Sequence, residues 1–587
     1  MTRPATVVWA GPEEGAVVEV SATGDAARAV GDHVPRLVAE KVASRLAAQD
    51  PTLWGEAAEA EAAVRLGWTD LHATSRPLLA PLRALREELA AEGVDRVVLC
   101  GMGGSSLAPE VVAGTAGAQL TVLDSTDPDQ VRRALDGDLR ATVVVVSSKS
   151  GSTLETDSHR RIFEAAFADA GIDAASRIVV VTDPGSPLHE AATAAGYRAV
   201  LEADPHVGGR FSALSAFGLV ASALAGADVE QLLDEAAEVA EVYAEDSEAN
   251  PALVLAAALA GTEPLRDKIV LRDAGSGLFH LGDWVEQLVA ESTGKDGTGL
   301  LPVVVGSRAP ELDGAAPDVL PVVLLPLTDD AAPASDGPGD AAPGSDGFGD
   351  AAEADGRAGD GNDDDDAART EVTVAGSLGA VLLLWENAVA IAGRLLGVNP
   401  FDQPDVEAAK SAARGLLEST PPPERPAFED SGVEVRASAE LLGGADTVAG
   451  AVEALLATLG ERGYLAVMAY LDREGRAADL LGDVRADLAA RTGRPVTFGW
   501  GPRFLHSTGQ LHKGGPAVGA FLQITGEAEH QVLVPGRDFD LAALLAAQAA
   551  GDAAVLAGLG RPVLRLHVTT PDALAWLAGV LAGPVNP

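Results

Sequence analysis

The sequence predicts an α/β protein with two doubly wound parallel-sheet domains and a C-terminal α/β unit. Short, wholly apolar runs of strand length alternate with stretches of helical spacing, which is typical of parallel sheets covered by helices on both faces. This alternation starts again twice along the chain, and 587 residues are too many for a single hydrophobic core. Because 47% of the residues are apolar but only 4% are aromatic, we expect cores of Ala, Val and Leu.

The first domain is predicted at residues 1–225. Residues 25–95 are rich in Ala, Leu and Glu at helical spacing, and they precede the first strand as a set of helices. The segment DRVVLCGMGGSSLAPEVVAG (95–114) then predicts a strand, a glycine-rich turn and a helix. QLTVLDST is a second strand, while ATVVVVSSKSGSTLET and SRIVVVTDPGSPLHEAATAAG each repeat the strand, turn and helix.

The second domain is predicted at residues 226–417, where the pattern begins again. KIVLRDAGSG, LPVVVGS and VLPVVLLPL predict strands, and LFHLGDWVEQLVAES predicts a helix. An acidic insertion at 329–369 is predicted to be disordered, because its Pro, Gly and Asp repeats cannot bury enough apolar surface to offset chain entropy. A C-terminal α/β extension is predicted at 430–587, with the strands GYLAVMAYLD, PVTFGW, AFLQIT and RPVLRLHV.

Charge and composition argue against several classes of partner. A net charge of −45 disfavours nucleic acid and anionic membrane surfaces. We expect no signal peptide and no bilayer-spanning run, and therefore a cytoplasmic protein with no membrane partner. Cys100 is the single cysteine, so a disulfide within the chain is impossible, and no metal site is predicted.

The stretch SSKSGST (147–153) is the first candidate binding site. It places the hydroxyls of Ser148, Ser150 and Thr153, with Lys149 among them, between a strand and the start of a helix. Unpaired N–H groups and a partial positive charge at a helix start favour an anion, so this stretch predicts a phosphate site. The alternative is an ordinary serine-rich turn with a single capping hydroxyl.

Two further glycine-rich turns carry candidate residues. GMGGSS (101–106) follows a neighbouring strand and presents Gly104 and Ser105, while VGGRFSAL (207–214) presents Arg210. GMGGSS and SSKSGST follow neighbouring parallel strands, so these two turns are expected to meet at the carboxyl edge of one sheet, where ligands bind. An arginine there could stabilise a developing oxyanion, although a tight turn and a surface arginine are the plainer interpretations.

The helix predicted in LFHLGDWVEQLVAESTGK brings a carboxylate onto an apolar face. Glu291 continues the apolar stripe that includes Trp284 and Leu288, and Gln287 lies one turn before it. A carboxylate in that position suits a general base, and a solvated helix end is the alternative. In GVNPFDQPDVEAAK, Gln403 and Lys410 lie seven residues apart, and a helix starting near residue 404 would turn the lysine towards the same cleft.

Taken in order, GMGGSS, SSKSGSTLET, VGGRFSALSAFGL, ESTGK and NPFDQPDVEAAK resemble the signature segments of the glucose-6-phosphate isomerase family, which has two sugar-isomerase (SIS) domains. The resemblance spans about residues 95 to 415. It implies a cofactor-free isomerisation of glucose 6-phosphate to fructose 6-phosphate, with phosphate held by the hydroxyls of the 148–153 loop and sugar contacts from the turn at 104–105. It further implies Glu291 as the base, Arg210 as the enediolate stabiliser, Gln287 and Gln403 as site residues, and Lys410 near the ring oxygen.

One part of the family pattern is absent. The family normally carries a catalytic histidine before the FDQ segment, but residues 296–400 contain none. The extension, which resembles the C-terminal part of transaldolase/glucose-6-phosphate isomerase fusion proteins, contains His506 and His512 in WGPRFLHSTGQLHKGGP. We therefore predict that the C-terminal unit supplies His512 for ring opening, with structural turn histidines as the alternative.

Three questions stay open at the level of sequence. The enzyme could also accept mannose 6-phosphate, or the SIS domains could serve a non-enzymatic phosphosugar-binding protein. The family's dimers take their histidine from the neighbouring subunit, which makes a homodimer an option. A histidine from the C-terminal unit would instead complete the site within one chain.

Overall fold

The fold is known from a computed structural model that describes residues 4–11, 15–314, 316–327, 369–419 and 424–583. The predicted fold class is confirmed: three sheets dominated by parallel pairing are packed between helices. The acidic insertion predicted at 329–369 lies almost entirely outside the described residues. The domain limits 1–225, 226–417 and 430–587 stay predictions.

The strands of the described residues belong to three sheets. In chain order they are β1 (Ala5–Ala10), β2 (Val17–Ala22), β3 (Arg96–Gly101), β4 (Leu120–Leu123), β5 (Thr142–Ser147), β6 (Ile178–Thr182), β7 (Ala199–Glu202), β8 (Lys268–Asp273), β9 (Leu301–Val305), β10 (Val319–Leu324), β11 (Val372–Gly376), β12 (Phe428–Asp430), β13 (Val433–Arg436), β14 (Tyr464–Tyr470), β15 (Val496–Trp500), β16 (Gly519–Gly526) and β17 (Val563–Val568). The sheet orders are β4-β3-β5-β6-β7, β1-β2-β11-β10-β8-β9 and β12-β13-β17-β16-β14-β15. The first of these sheets is parallel throughout, so the loops after β3 and β5 emerge at one edge.

The N-terminal hairpin belongs to the second sheet. Strands β1 and β2 pair with each other, and β2 pairs antiparallel with β11 of the second sheet rather than lying beside the first. Val18, Val20 and Ala22 are fully buried in this arrangement. The hairpin thus covers what would otherwise be an open strand edge, a pairing that joins residues about 350 positions apart.

Helices fill the space around the sheets, including the set predicted at residues 25–95. Side chains cap the N-termini of several of these helices. For example, the Asp127 carboxylate accepts hydrogen bonds from the N–H groups of Asp129 and Gln130. The longer helices are Gly24–Ala39, Leu79–Ala91, Leu107–Thr115, Pro128–Leu135, Leu154–Asp169, Pro187–Ala195, Ala216–Ala225, Val229–Ala244, Pro251–Ala260, Leu281–Thr293, Leu378–Leu396, Val406–Ser419, Val448–Leu456, Val484–Thr492, Leu541–Gly558 and Pro571–Ala582. The shorter helices are Val42–Ala47, Glu56–Ala62, Leu71–Thr74, Ala439–Leu442, Arg476–Leu481 and Gly509–Gly514.

In the part of the chain that the structure describes, two helices are long and apolar enough to cross a membrane by length and composition alone. They are Leu378–Leu396 and Leu541–Gly558, and 89% and 56% of their most apolar windows are buried inside the protein. A helix in the core of a folded protein meets the same criterion, and Leu378–Leu396 packs in this way against Pro251–Ala260.

The C-terminal unit is fixed to the rest of the chain by buried ion pairs. Arg503 donates to Asp124 (2.8 Å) and Glu110 (2.6 Å), which belong to the first sheet and its helices. Arg494 makes two hydrogen bonds to Asp318, at 2.6 and 3.1 Å, beside the second sheet. Because removing one partner of such a pair costs about 3–5 kcal/mol, these contacts hold the unit in one position.

Candidate active site

The predicted hydroxyl loop lies at the amino end of helix Leu154–Asp169. The Ser148 hydroxyl donates to the Thr153 hydroxyl (3.1 Å), and the hydroxyls of Ser150 and Ser152 are 2.9 Å apart. These hydroxyls lie immediately before the first helical turn, whose N–H groups receive no side-chain cap from Thr153. The arrangement can bind an anion in the way the sequence predicts.

Lys149 is engaged outside this hydroxyl cluster. Its ammonium group donates to the Asp183 carboxylate (2.8 Å) and to the carbonyl oxygen of Pro205 (3.1 Å). The lysine therefore ties the hydroxyl loop to the two neighbouring loops. Its predicted contact with phosphate stays a prediction.

The turn that carries Gly104 and Ser105 packs directly on the turn that carries Arg210. A Cβ atom at Gly104 would overlap the carbonyl group of Gly209, so only glycine permits this approach. Ser105 is buried in the same turn. Two turns that the sequence marks separately are thus in contact.

Arg210 is the most heavily bonded residue of the site. Its guanidinium donates to the Ser292 hydroxyl (2.9 Å), the Gln403 side-chain oxygen (2.7 Å) and the Asp402 carbonyl (2.9 Å), and it lies 3.3 Å from the Glu291 carboxylate. Burial lowers the pKa of Arg210, and the charges of Glu291 and Asp402 act in the opposite direction. Two other predicted residues, Glu291 and Gln403, therefore meet at the guanidinium of Arg210.

Glu291 lies between a cation and an amide. One carboxylate oxygen faces Arg210, and the other accepts a hydrogen bond from the Gln287 side chain (3.2 Å). Gln287 also donates to the carbonyl oxygen of His506 (2.8 Å), which belongs to the C-terminal unit. Glu291 is only 7% exposed, so this carboxylate is sheltered from bulk water.

Lys295, in the ESTGK segment, is a site residue to which the sequence assigned no role. Its ammonium group donates to the Asn399 carbonyl (2.6 Å) and to the carbonyl (2.6 Å) and carboxylate (2.7 Å) of Asp402. Burial and the nearby charge of Arg210 lower the pKa of Lys295 to about 8. Through these hydrogen bonds, Lys295 stabilises the loop that contains Gln403.

His506 joins the site from the C-terminal unit through Glu155. Its Nε2 atom lies 3.3 Å from the Glu155 carboxylate, and an ionised carboxylate only accepts, so Nε2 carries the proton. Burial on its own would raise the pKa of Glu155, but the hydrogen bond and charge of His506 and the charge of Lys410 bring it down to about 2. Predicted Lys410 is thereby within electrostatic range of the same carboxylate. Glu155 lies within the segment SSKSGSTLET, but in the sequence it looks like an ordinary acidic residue in the first turn of a helix.

His512 is placed differently from the prediction. Its ring packs among Tyr464, Phe504 and Phe521, with centroids 5.2–6.1 Å away. Both ring nitrogens are buried and have no hydrogen-bond partner among the described residues, and burial lowers the pKa of His512 to about 3. The short helix Gly509–Gly514 directs this side chain into the aromatic core. His506, and not His512, therefore lies beside the other predicted site residues.

One group of potential metal ligands occurs in the described part of the chain. Atoms of Glu110, His280 and Asp283 lie within 4.8 Å of one another. Both carboxylates are already ion-paired with Arg503, at 2.6 and 3.3 Å. The ion pairs explain this cluster as part of the anchor of the C-terminal unit.

Comparisons with known proteins agree with these segments. A family model described as phosphoglucose isomerase matches residues 83–296. The glucose-6-phosphate isomerase of Synechococcus elongatus is 31% identical over 348 residues, covering 55% of this chain and 66% of the relative, so the chain spans just under two thirds of that relative's length. That of Rubrobacter xylanophilus is 32% identical over 383 residues, covering 59% and 87%. Among solved structures, a hypothetical protein from Thermus thermophilus has a TM-score of 0.52 and 27% identity, covering 68% of this chain and 99% of that one.

Proposed function

Because the chain belongs to the glucose-6-phosphate isomerase family, we propose that it interconverts glucose 6-phosphate and fructose 6-phosphate through a cis-enediol intermediate, with Glu291 as the base. The observation that carries the proposal is the buried contact of 3.3 Å between Glu291 and Arg210. It joins a proton acceptor to a fixed cation, the two groups that an enolisation needs. We further propose that the enzyme is cytoplasmic and uses no cofactor, since the reaction only moves protons and electron pairs within one substrate.

Substrate binding begins at the hydroxyl loop. The hydroxyls of Ser148, Ser150 and Thr153 and the helix start hold the phosphate, which fixes the far end of the sugar. His506 then acts at the ring oxygen, oriented by the Glu155 carboxylate and assisted by the charge of Lys410. Ring opening exposes the C1 aldehyde.

Proton transfer follows on the open chain. Glu291 takes the C2 proton, and the electron pair of that C–H bond forms a C1–C2 double bond while the C1 carbonyl oxygen gains negative charge. Arg210 stabilises that charge, and the hydrogen bond from Gln287 keeps the carboxylate directed at the substrate. The O2 proton then passes to O1, which moves the negative charge to O2. The C2 carbonyl forms from the O2 electron pair while the electrons of the C1–C2 double bond take the proton from Glu291 at C1, and fructose 6-phosphate results.

The proposal is tested by running the reaction in D₂O with the wild type and the Glu291→Gln variant. The wild type is expected to incorporate solvent deuterium at C2 of glucose 6-phosphate. The variant is expected to lose about 1,000-fold or more in both isomerisation and exchange, because an amide cannot accept the proton. A parallel reaction with mannose 6-phosphate measures whether the C2 epimer is also accepted.

A matched control comes from the same helix. Glu286 is half-buried and accepts a hydrogen bond from Ser507 (2.9 Å), and desolvation raises its pKa to about 8. The Glu286→Gln variant keeps an oxygen for Ser507 and is expected to retain isomerase activity. Comparable turnover by Glu291→Gln and Glu286→Gln would contradict the assignment of the base.

A further inference from the structure

Helix Leu541–Gly558 of the C-terminal unit sends one side chain into the interior, towards Glu155. Gln548 is 6% exposed, and its Nε2 atom donates to Glu155 Oε1 at 2.7 Å. Its Oε1 atom accepts from the hydroxyl of Thr126 at 2.8 Å. Thr126 is fully buried in the loop that follows β4.

The chemistry of these groups fixes the orientation of the Gln548 amide. An ionised carboxylate can only accept, so the NH₂ group of Gln548 must face Glu155. Its carbonyl oxygen then faces Thr126, whose hydroxyl can donate to it. The chain Thr126–Gln548–Glu155 has a single arrangement in which every buried group is satisfied.

The same carboxylate oxygen serves both donors. Glu155 Oε1 accepts from Gln548 at 2.7 Å and from His506 at 3.3 Å. We propose that Gln548 is a positioning residue, which holds the Glu155 carboxylate against His506 during ring opening. The inference rests on the proposed function and deepens it, because it assigns a part of the acid–base geometry to a helix outside the five signature segments.

Helix Leu541–Gly558 also packs on the helix that carries Lys410. A Cβ atom at Gly551 would lie 2.9 Å from the backbone nitrogen of Ala413, so the two helices are in close contact. One helix of the C-terminal unit thus touches Glu155 through Gln548 and supports the Lys410 helix through Gly551. This explains how the histidine, the carboxylate and the lysine keep one relative position.

The first experiment removes the hydrogen-bond donor of Gln548 and keeps the approximate size and shape of the side chain. The Gln548→Met variant is expected to lower kcat on glucose 6-phosphate by about ten- to a hundredfold, the range for a hydrogen bond to a charged group, while KM stays within about twofold. Gln130 is the matched control, because its side chain also donates across the boundary to a C-terminal carboxylate, that of Glu474 at 2.9 Å. The Gln130→Met variant is expected to keep kcat within about twofold of the wild type.

The second experiment uses pH to separate positioning from packing. In the Gln548→Glu variant the introduced carboxyl group faces Glu155, and one proton shared between them restores a donor. The charged or titratable neighbours of Glu155 are His506, Lys410 and His159 on its own helix. Activity of the Gln548→Glu variant relative to the wild type is expected to rise about tenfold as the pH falls from about 8.5 to about 6, since protonation recovers the hydrogen bond.

The outcomes separate this inference from the proposed function. A wild type without isomerase activity would refute the function itself, whatever the variants do. An active wild type with Gln548→Met at full kcat, or with Gln130→Met lowered equally, would overturn the positioning role. A flat activity ratio for Gln548→Glu across this pH range would also overturn it, because a purely structural role predicts no recovery on protonation.

Discussion

Replacing His506 by glutamine is expected to disable turnover of the cyclic sugar phosphate while leaving phosphate binding intact. Glutamine keeps an N–H donor within reach of Glu155 but cannot transfer a proton at neutral pH. His506 lies at the end of the turn that begins with the anchored Arg503, so the backbone around it is held independently of its ring. The variant should therefore fold and lose only the acid–base group.

The structure sets the size of the expected effect. The lowering of the Glu155 pKa from its ordinary 4.5 to about 2 corresponds to about 3 kcal/mol in favour of the carboxylate. His506 supplies the largest favourable part of this energy, by its hydrogen bond and its charge. Because glutamine keeps a donor to Glu155 and loses proton transfer, the expected loss in kcat/KM is that of general acid–base catalysis, about 100-fold or more.

The assay compares His506→Gln with His512→Phe, the other histidine of the same segment. The kcat/KM for glucose 6-phosphate is measured together with the Kd of a five-carbon aldonic acid 5-phosphate, an acyclic ligand that needs no ring opening. His506→Gln should lose turnover and keep this Kd, and His512→Phe should keep both. The reasoning is refuted if His506→Gln turns over glucose 6-phosphate within about threefold of the wild type, or if His512→Phe loses as much.

Two further predictions concern buried titratable groups. The pKa of His512 falls from 6.5 to about 3, so its neutral form contributes stability above pH 6.5 that is lost as the pH falls towards 3. Between pH 7 and 5 this loss amounts to about 2 kcal/mol of unfolding free energy. The His512→Phe variant should lack this loss when unfolding is measured by urea denaturation, and an unchanged pH dependence would contradict the prediction. Glu386 is fully buried and its pKa lies well above 4.5, so its neutral form contributes stability that is lost as the pH rises above 4.5. Glu386→Gln should make stability less dependent on pH above 4.5, and equal pH dependences for both proteins in urea denaturation would count against it.

The parts of the site that the sequence could predict depend on local pattern. Parallel strands of apolar residues, each ending in a polar glycine-rich turn, must bring those turns to one sheet edge, and the turns GMGGSS and SSKSGST do follow the paired parallel strands β3 and β5. Helical spacing likewise predicted that Gln287 and Glu291 share a face, and they are hydrogen-bonded. Both features are decided by residues within a few positions of each other.

The parts that the sequence could not predict depend on distant packing. His506 and His512 are separated by six residues, and only the direction of the short helix Gly509–Gly514 decides which of them enters the aromatic core. Glu155 looks like any acid at a helix start until a histidine 351 positions later is placed beside it. The pairing of β2 with β11 likewise joins residues that are far apart in the sequence, so local pattern does not predict it.

The buried arginines of the C-terminal unit explain how a histidine so distant in sequence is held beside Glu155. A buried ion pair often contributes little net stability compared with apolar packing, but it fixes which groups lie together. Arg503 pairs with Asp124 and Glu110 only three residues before His506, so the turn carrying the histidine is held on the first sheet. Gln548 holds the receiving carboxylate from the other side. The distance of 3.3 Å between His506 and Glu155 is therefore maintained from both sides. The Arg503 ion pairs and the hydrogen bond from Gln287 hold the histidine turn, and Gln548 holds the carboxylate.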